Sequence, residues 1–323
     1  MSKTSLTDRL VALRRAETGE NTSQAVPAVR AVLSDLPEPE RERLVDALNG
    51  AGDARGLLIP EAASREQREL ECAVLQAGSD AGTHLQLRPP ASMLRPAHAF
   101  RAAEPTPHGL RLHLAEHALG PLLHELLPRL EADGSVSGVP GLRVRRHPRS
   151  IELLTPGVPA TVVLAGVDEA RWREGMTYVH TLLRDRDLSR RFADGDLHEA
   201  ERAHLAEFPR RSGLASSVLR RPALLAPAPW TRTMTRDDQW WLEWPMGPAL
   251  PAVVQRLVHP VVGVPGLVAT PESAESATLS DGWWSLHVRV VQGPDPANEE
   301  ALAAMQWPPG VTGWSTRRPG DDI

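Results

Sequence analysis

A chain of 323 residues, 41% hydrophobic and 24% charged, is long enough for two domains, or for one domain with an extension. Its formal net charge of −5 gives no overall attraction to nucleic acid or an anionic membrane, and no stretch approaches the roughly 18 uninterrupted apolar residues of a membrane span. The single cysteine, Cys72, excludes an intramolecular disulfide and a cysteine-rich zinc site; with no apolar leader in the first residues, the expected compartment is the cytoplasm.

Residues 1–77 read as a helical region. In "LTDRLVALRRA", Leu6, Leu10 and Leu13 recur at helical spacing, with Thr4 or Ser5 available as cap and Gly19 as stop. "QAVPAVRAVLSDL" places Val26, Val29, Val32 and Leu33 on one side, with Pro27 expected in the first turn, where its missing N–H costs nothing. "PEPERERLVDAL" opens with proline and acids, which suits a helix start. A fourth helix is predicted over "REQRELECAVLQA", with Leu70, Cys72 and Val74 near its buried side. Residues 78–107 read as a connecting segment, in which "THLQLRPP" alternates Leu85 and Leu87 like an edge strand stopped by prolines.

From residue 108 the chain matches itself. "LRLHL" from Leu110 aligns with "WWLEW" from Trp240, and "PLLHELL" from Pro121 aligns with "PAVVQRL" from Pro251, both at an offset of 130. "GVPGL" then occurs at Gly138 and again at Gly263, an offset of 125, the longer approach "PRLEADGSVS" accounting for the change. "VVLAGVDEA" from Val162 matches "VRVVQGPDPA" near Val288, pairing Gly166 and Asp168 with Gly293 and Asp295. Proline fixes φ and disfavours the α region at the preceding valine, so each "GVPGL" reads as a helix-to-strand connection. It lacks the glycine spacing and the Lys-Ser or Lys-Thr of a phosphate loop. The predicted organisation is therefore α+β: a first repeat at 108–190, a helical linker at 191–228, a second repeat at 229–308 and a tail at 309–323. A ferredoxin-like unit is one member of this class.

The candidate sites fall into three groups. "HLAEH" (His113, Glu116, His117) resembles the inverted zinc-protease signature H-x-x-E-H. On a helix the two histidines would face one Zn²⁺, with Glu116 acting on a bound water and a third ligand sought among Glu199, Glu201 and Glu207. Against this, "GLRLHLA" alternates like a strand, which separates His113 from His117. His124 and Glu125 read as a solvated pair, so neither a metal site nor a cofactor is expected. The arginine strings around Arg143, Arg145 and Arg146, and at Arg220 and Arg221, suit phosphate contacts, but neighbouring acids oppose a broad positive field. Finally, the nine tryptophans cluster late in the chain. Strand alternation turns Trp240, Leu242 and Trp244 toward a core and leaves Trp241 and Trp283 for a partner.

No serine stands in a G-x-S-x-G elbow, and Cys72 has no local histidine. The function expected from these residues is a cytoplasmic, non-enzymatic adaptor with Trp241 and Trp283 on the partner surface. A zinc hydrolase and a nucleic-acid-binding regulator are the alternatives. The balance of Gly, Pro, Ala and Arg points to a GC-rich bacterial genome.

Overall fold

The computed structural model describes residues 5–87, 98–183, 188–191, 196–226, 228, 231–236, 239–245 and 247–291. The expected match at Gly293 and Asp295, the tail, and Thr4 lie outside these residues.

Four helices open the chain: α1 (Leu6–Thr18), α2 (Thr22–Asp35), α3 (Glu38–Leu48) and α4 (Arg65–Leu87). Ser5 caps α1 by accepting from Asp8 N–H. In α2, Asn21 and Gln24 form a capping box, so the helix starts earlier than expected and Pro27 lies inside it. Apolar residues of α1–α3 close a small core with Val261 and Val262 from the second repeat. Helix α4 runs through the predicted edge strand. Leu70, Val74, Ala77, Ala81 and Leu85 recur every three or four residues and are all buried, so the helical period wins over the two-leucine alternation.

After α4 come two similar sheet-and-helix units. The first contains β1 (Phe100–Thr106), β2 (Gly109–Leu114), α5 (Leu119–Leu126), β5 (Arg143–His147), β6 (Ser150–Leu154), β7 (Thr161–Ala165) and α6 (Glu169–Leu183). Between α5 and β5 a short hairpin, β3 (Arg129–Glu131) and β4 (Val136–Ser137), pairs with β8 (Leu188–Arg191) in a separate three-stranded sheet. Helices α7 (Glu199–Glu207) and α8 (Ala215–Leu219) and a 3₁₀ turn at Pro222–Leu225 lead to the second unit: β9 (Arg232–Arg236), β10 (Gln239–Pro245), α9 (Leu250–Leu257), β11 (Val268–Pro271), β12 (Ser276–Ser280) and β13 (Ser285–Val291).

The strand orders are β1-β2-β7-β6-β5 and β9-β10-β13-β12-β11, which correspond position by position. In each, the second and third strands of the order are parallel and every other neighbour is antiparallel. The architecture is thus a helical region followed by tandem α+β units. Each unit has five strands, whereas the ferredoxin-like example is βαββαβ with four.

The repeated "GVPGL" is the same joint built twice. Val139 N–H donates to Leu126 O at 3.1 Å and Val264 N–H to Leu257 O at 2.8 Å, tying each turn to the last residue of the preceding helix. Leu142 N–H then reaches Val139 O, and Leu267 N–H reaches Val264 O. Gly141 and Gly266 have φ of +77° and +70°, a region that side chains with a Cβ rarely enter. These bonds set the helical offset at 131, one more than the prolines suggest. Eleven residues of the first unit (Leu127–Ser137) stand where the second has five (Val258–Val262), and the surplus forms the β3–β4 hairpin.

The main core is continuous through α4 and both units. Helix α4 packs against α5 and β7 of the first and β9 of the second. It is fixed there by Glu71, which accepts from Arg220 Nε and Nη2 and from Ser216 Oγ with no exposure on either ionic partner.

Candidate metal centre

Helices α4, α5 and α6 form a layer in which α5 is buried almost throughout. Its sequence "LGPLLHEL" offers mainly apolar side chains, so His124 goes inside with them and is only 4% exposed. Gly120 lets α5 approach α6: a Cβ there would stand 2.6 Å from the Cβ of Tyr178. On α4, His84 precedes Leu85 at the end of the apolar stripe and is 3% exposed.

These elements bring His84, His124 and Glu125 together, with one donor atom from each lying within 4.8 Å of the others. His84 Nε2 is 2.8 Å from Glu125 Oε1, and His124 Nε2 is 3.8 Å from the same oxygen. A tetrahedral zinc with bonds near 2.1 Å needs ligand separations of roughly 3.4 Å, which the two observed distances bracket. The imidazole rings meet edge to face at 5.4 Å, and Tyr178 Oη lies 2.9 Å from His84 Nδ1. Burial pushes the Glu125 carboxyl up, but the His84 hydrogen bond and the charges of His84, His124 and Arg129 outweigh it and hold the group below its usual range. Arg129, on the inserted hairpin, donates to His124 O at 2.7 Å.

One turn before His84 stands Asp80. It reaches solvent, yet the protein packed around its carboxyl, and then the Glu125 charge, lift its pKa to about 6 against the opposing pull of Gln76 and His84.

This cluster overturns three expectations. Two buried imidazoles and a carboxylate are a group that could hold a metal ion, where the sequence reading expected no such group. His124–Glu125 is not a solvated pair, because His124 is buried and the half-buried Glu125 is bound to His84. The non-enzymatic adaptor is likewise contradicted: a buried group that could hold a metal ion fits the hydrolase alternative better, although with different ligands from those read in "HLAEH".

His113, Glu116 and His117 are not brought together. His113 lies in β2 and bonds Glu104 and Gln24, the His113 bond holding Glu104 below the usual carboxylate range. His117 follows the strand in a left-handed conformation, φ 63°, beside an exposed Glu116 at 3.6 Å. With no helix across 113–117, the i, i+4 facing that the signature needs is missing. Glu201 is likewise committed elsewhere: it binds Arg143 and the Gly141 N–H, its carboxyl pushed up by burial but held below the usual range by these bonds.

Of the arginines expected at phosphates, Arg143 pairs with Glu201, while Arg220 and Arg221 are fully buried against Glu71 and Glu61. Those three cannot reach a nucleic acid. Arg145 and Arg146 are exposed and paired with Glu152 and Glu169. Trp240, Leu242 and Trp244 are buried as the alternation requires. Trp241 is half-buried and stacks on His287 at 4.5 Å, whereas Trp283, in the turn before β13, is 89% exposed. Cys72 is buried, which pushes its thiol far above the usual range.

His84 was missed because its neighbourhood reads as a strand. The signal for His124 was the apolar run around it, Leu119–Leu126, in which every residue but Glu125 is buried. Among the described residues, no helix is long and apolar enough to cross a membrane. No protein-family model, curated protein or solved structure matches the chain.

Proposed function

We propose that the chain is a metal-dependent hydrolase whose ion is held by His84 Nε2, His124 Nε2 and a Glu125 carboxylate oxygen. The observation that carries this reading is the convergence of those three donors inside the α4–α5 layer. Two histidines and one glutamate are a ligand set of catalytic zinc sites, which keep the fourth position for water; the ion supplies Lewis-acid activation of that water. Glu125 brings one negative charge to the ion, and its depressed pKa keeps it ionised. Asp80, on the same helix and one turn away from His84, is the carboxylate that would be offered for accepting the water's proton. Solution in the cytoplasm is the setting this reading assumes.

The test is metal analysis after zinc-replete preparation, followed by hydrolysis assays on a panel of activated esters, phosphoesters and peptides. One ion per chain, activity removed by chelator and restored by zinc, and loss of both in His124→Ala are expected. A wild-type protein without stoichiometric metal would sink the proposal.

A further inference from the structure

Resting on that metal reading, we infer that Tyr178 is a positioning residue, whose hydroxyl sets which nitrogen of His84 is free to bind the ion. The ring is 5% exposed and its base is held by α5, since Gly120 leaves no room for a side chain beneath it. Its oxygen meets His84 Nδ1 at 2.9 Å, while the opposite ring nitrogen, Nε2, meets Glu125 Oε1 at 2.8 Å. His84 is therefore held from both ends by groups on two different helices.

The hydrogen-bond inventory of these three groups dictates the rest. An ionised carboxylate only accepts, so without an ion His84 carries a proton on Nε2, and whenever that is its single proton Nδ1 accepts from the tyrosine O–H. An ion on Nε2 needs the lone pair at that atom. The imidazole then keeps its single proton on Nδ1, and Tyr178 must turn from donor to acceptor. A phenol oxygen serves in both states, and a phenyl ring in neither. Histidine ligands are commonly oriented in this way through their second nitrogen, and removing such a partner typically weakens metal binding about 10–100-fold. This assigns a reason for a tyrosine, the only one in the chain, at this place.

The experiment compares the full-length wild type with Tyr178→Phe, which keeps the ring and deletes the hydroxyl. Zn²⁺ affinity is measured by chelator competition, Co²⁺ binding by its visible absorption, and the His84 tautomer by ¹⁵N NMR of histidine-labelled wild type with and without Zn²⁺. The expected results are a 10–100-fold affinity loss in the variant, an altered Co²⁺ spectrum, and a wild-type proton that moves from Nε2 to Nδ1 on zinc binding. A variant that binds like wild type overturns the role of Tyr178 and leaves the metal site standing. Wild-type protein that binds neither ion overturns the metal reading itself. The NMR arm needs no variant to fold: a proton already on Nδ1 before zinc is added refutes the switch directly.

Discussion

The two α+β units share a sheet order, a parallel strand pair and a hydrogen-bonded "GVPGL" joint, yet they carry different things. By the offset that the joints define, His124 and Glu125 correspond to Gln255 and Arg256. Gln255 is exposed, and Arg256 reaches out to Glu17 on α1 and to the carbonyls of Ala16 and Leu224. The same helix thus faces a neighbouring helix pair in one unit and the N-terminal helices in the other. The candidate centre is built from what is not repeated: His84 on α4, two changed positions on α5, and an inserted hairpin whose Arg129 buttresses His124. Duplication supplied the platform, and departures from it made the site.

Helix α4 makes that asymmetry possible, and breaking its anchor is the largest effect we expect. Glu71→Ala leaves the Arg220 guanidinium buried without its carboxylate, a change that typically costs about 3–5 kcal/mol. Urea unfolding followed by far-UV circular dichroism should show a midpoint far below wild type. Near-wild-type stability would mean that the α4 anchor contributes little to the assembly.

Matched core positions sharpen the comparison next. Leu112 and Leu242 are both buried on interior strands of their sheets, β2 and β10. Truncating either to alanine should cost about 2–5 kcal/mol. Because one apolar core runs through both units, each change should shift a single transition seen alike by circular dichroism and tryptophan fluorescence. Curves that separate, with Leu242→Ala moving only the fluorescence of the tryptophan-rich second unit, would show two independently unfolding bodies.

The centre itself distinguishes the copies at the level of ligand binding. His124→Ala removes one of the three ligands and should abolish stoichiometric zinc, while Gln255→Ala, the corresponding truncation in the second unit, should leave one ion bound. Equal loss in both would place the ion elsewhere.

The repeat was legible because it is written in covalent constraints: proline and glycine at fixed spacing, and alternating apolar strands such as Leu110-Leu112-Leu114. Those features act locally, so they survive without knowledge of neighbours. The centre was not legible, because His84 lies 40 residues before His124 and their meeting depends on how α4 packs across α5. "HLAEH" misled for the converse reason. Its spacing has meaning only on a helix, and the chain there leaves a strand and turns. The buried arginines teach a related point: Arg220 and Arg221 look like a basic surface in sequence, but they act as internal cross-links whose carboxylates lie more than 140 residues away.

The smallest effect concerns Asp80, and its sign can be worked out. Its carboxyl is lifted from 3.8 to about 6 by the protein packed around it and by the Glu125 charge, so the folded chain binds this proton more tightly than the unfolded chain does. A carboxyl whose pKa is raised on folding contributes stability at low pH and loses it as pH climbs through the folded value. In metal-free protein the contribution of Asp80 should thus fall between about pH 4 and pH 6. Asp80→Asn removes the ionisation, so the variant should match wild type near pH 4 and exceed it at pH 7.5. Because the side chain reaches solvent, the gain is expected at about 1 kcal/mol or less, well under the full linkage value. Thermal midpoints of chelator-treated proteins at the two pH values measure it. A variant less stable than wild type at pH 7.5 would mean that the ionised carboxylate is held by favourable contacts, and that Glu125 and Asp80 do not repel across the α4–α5 interface.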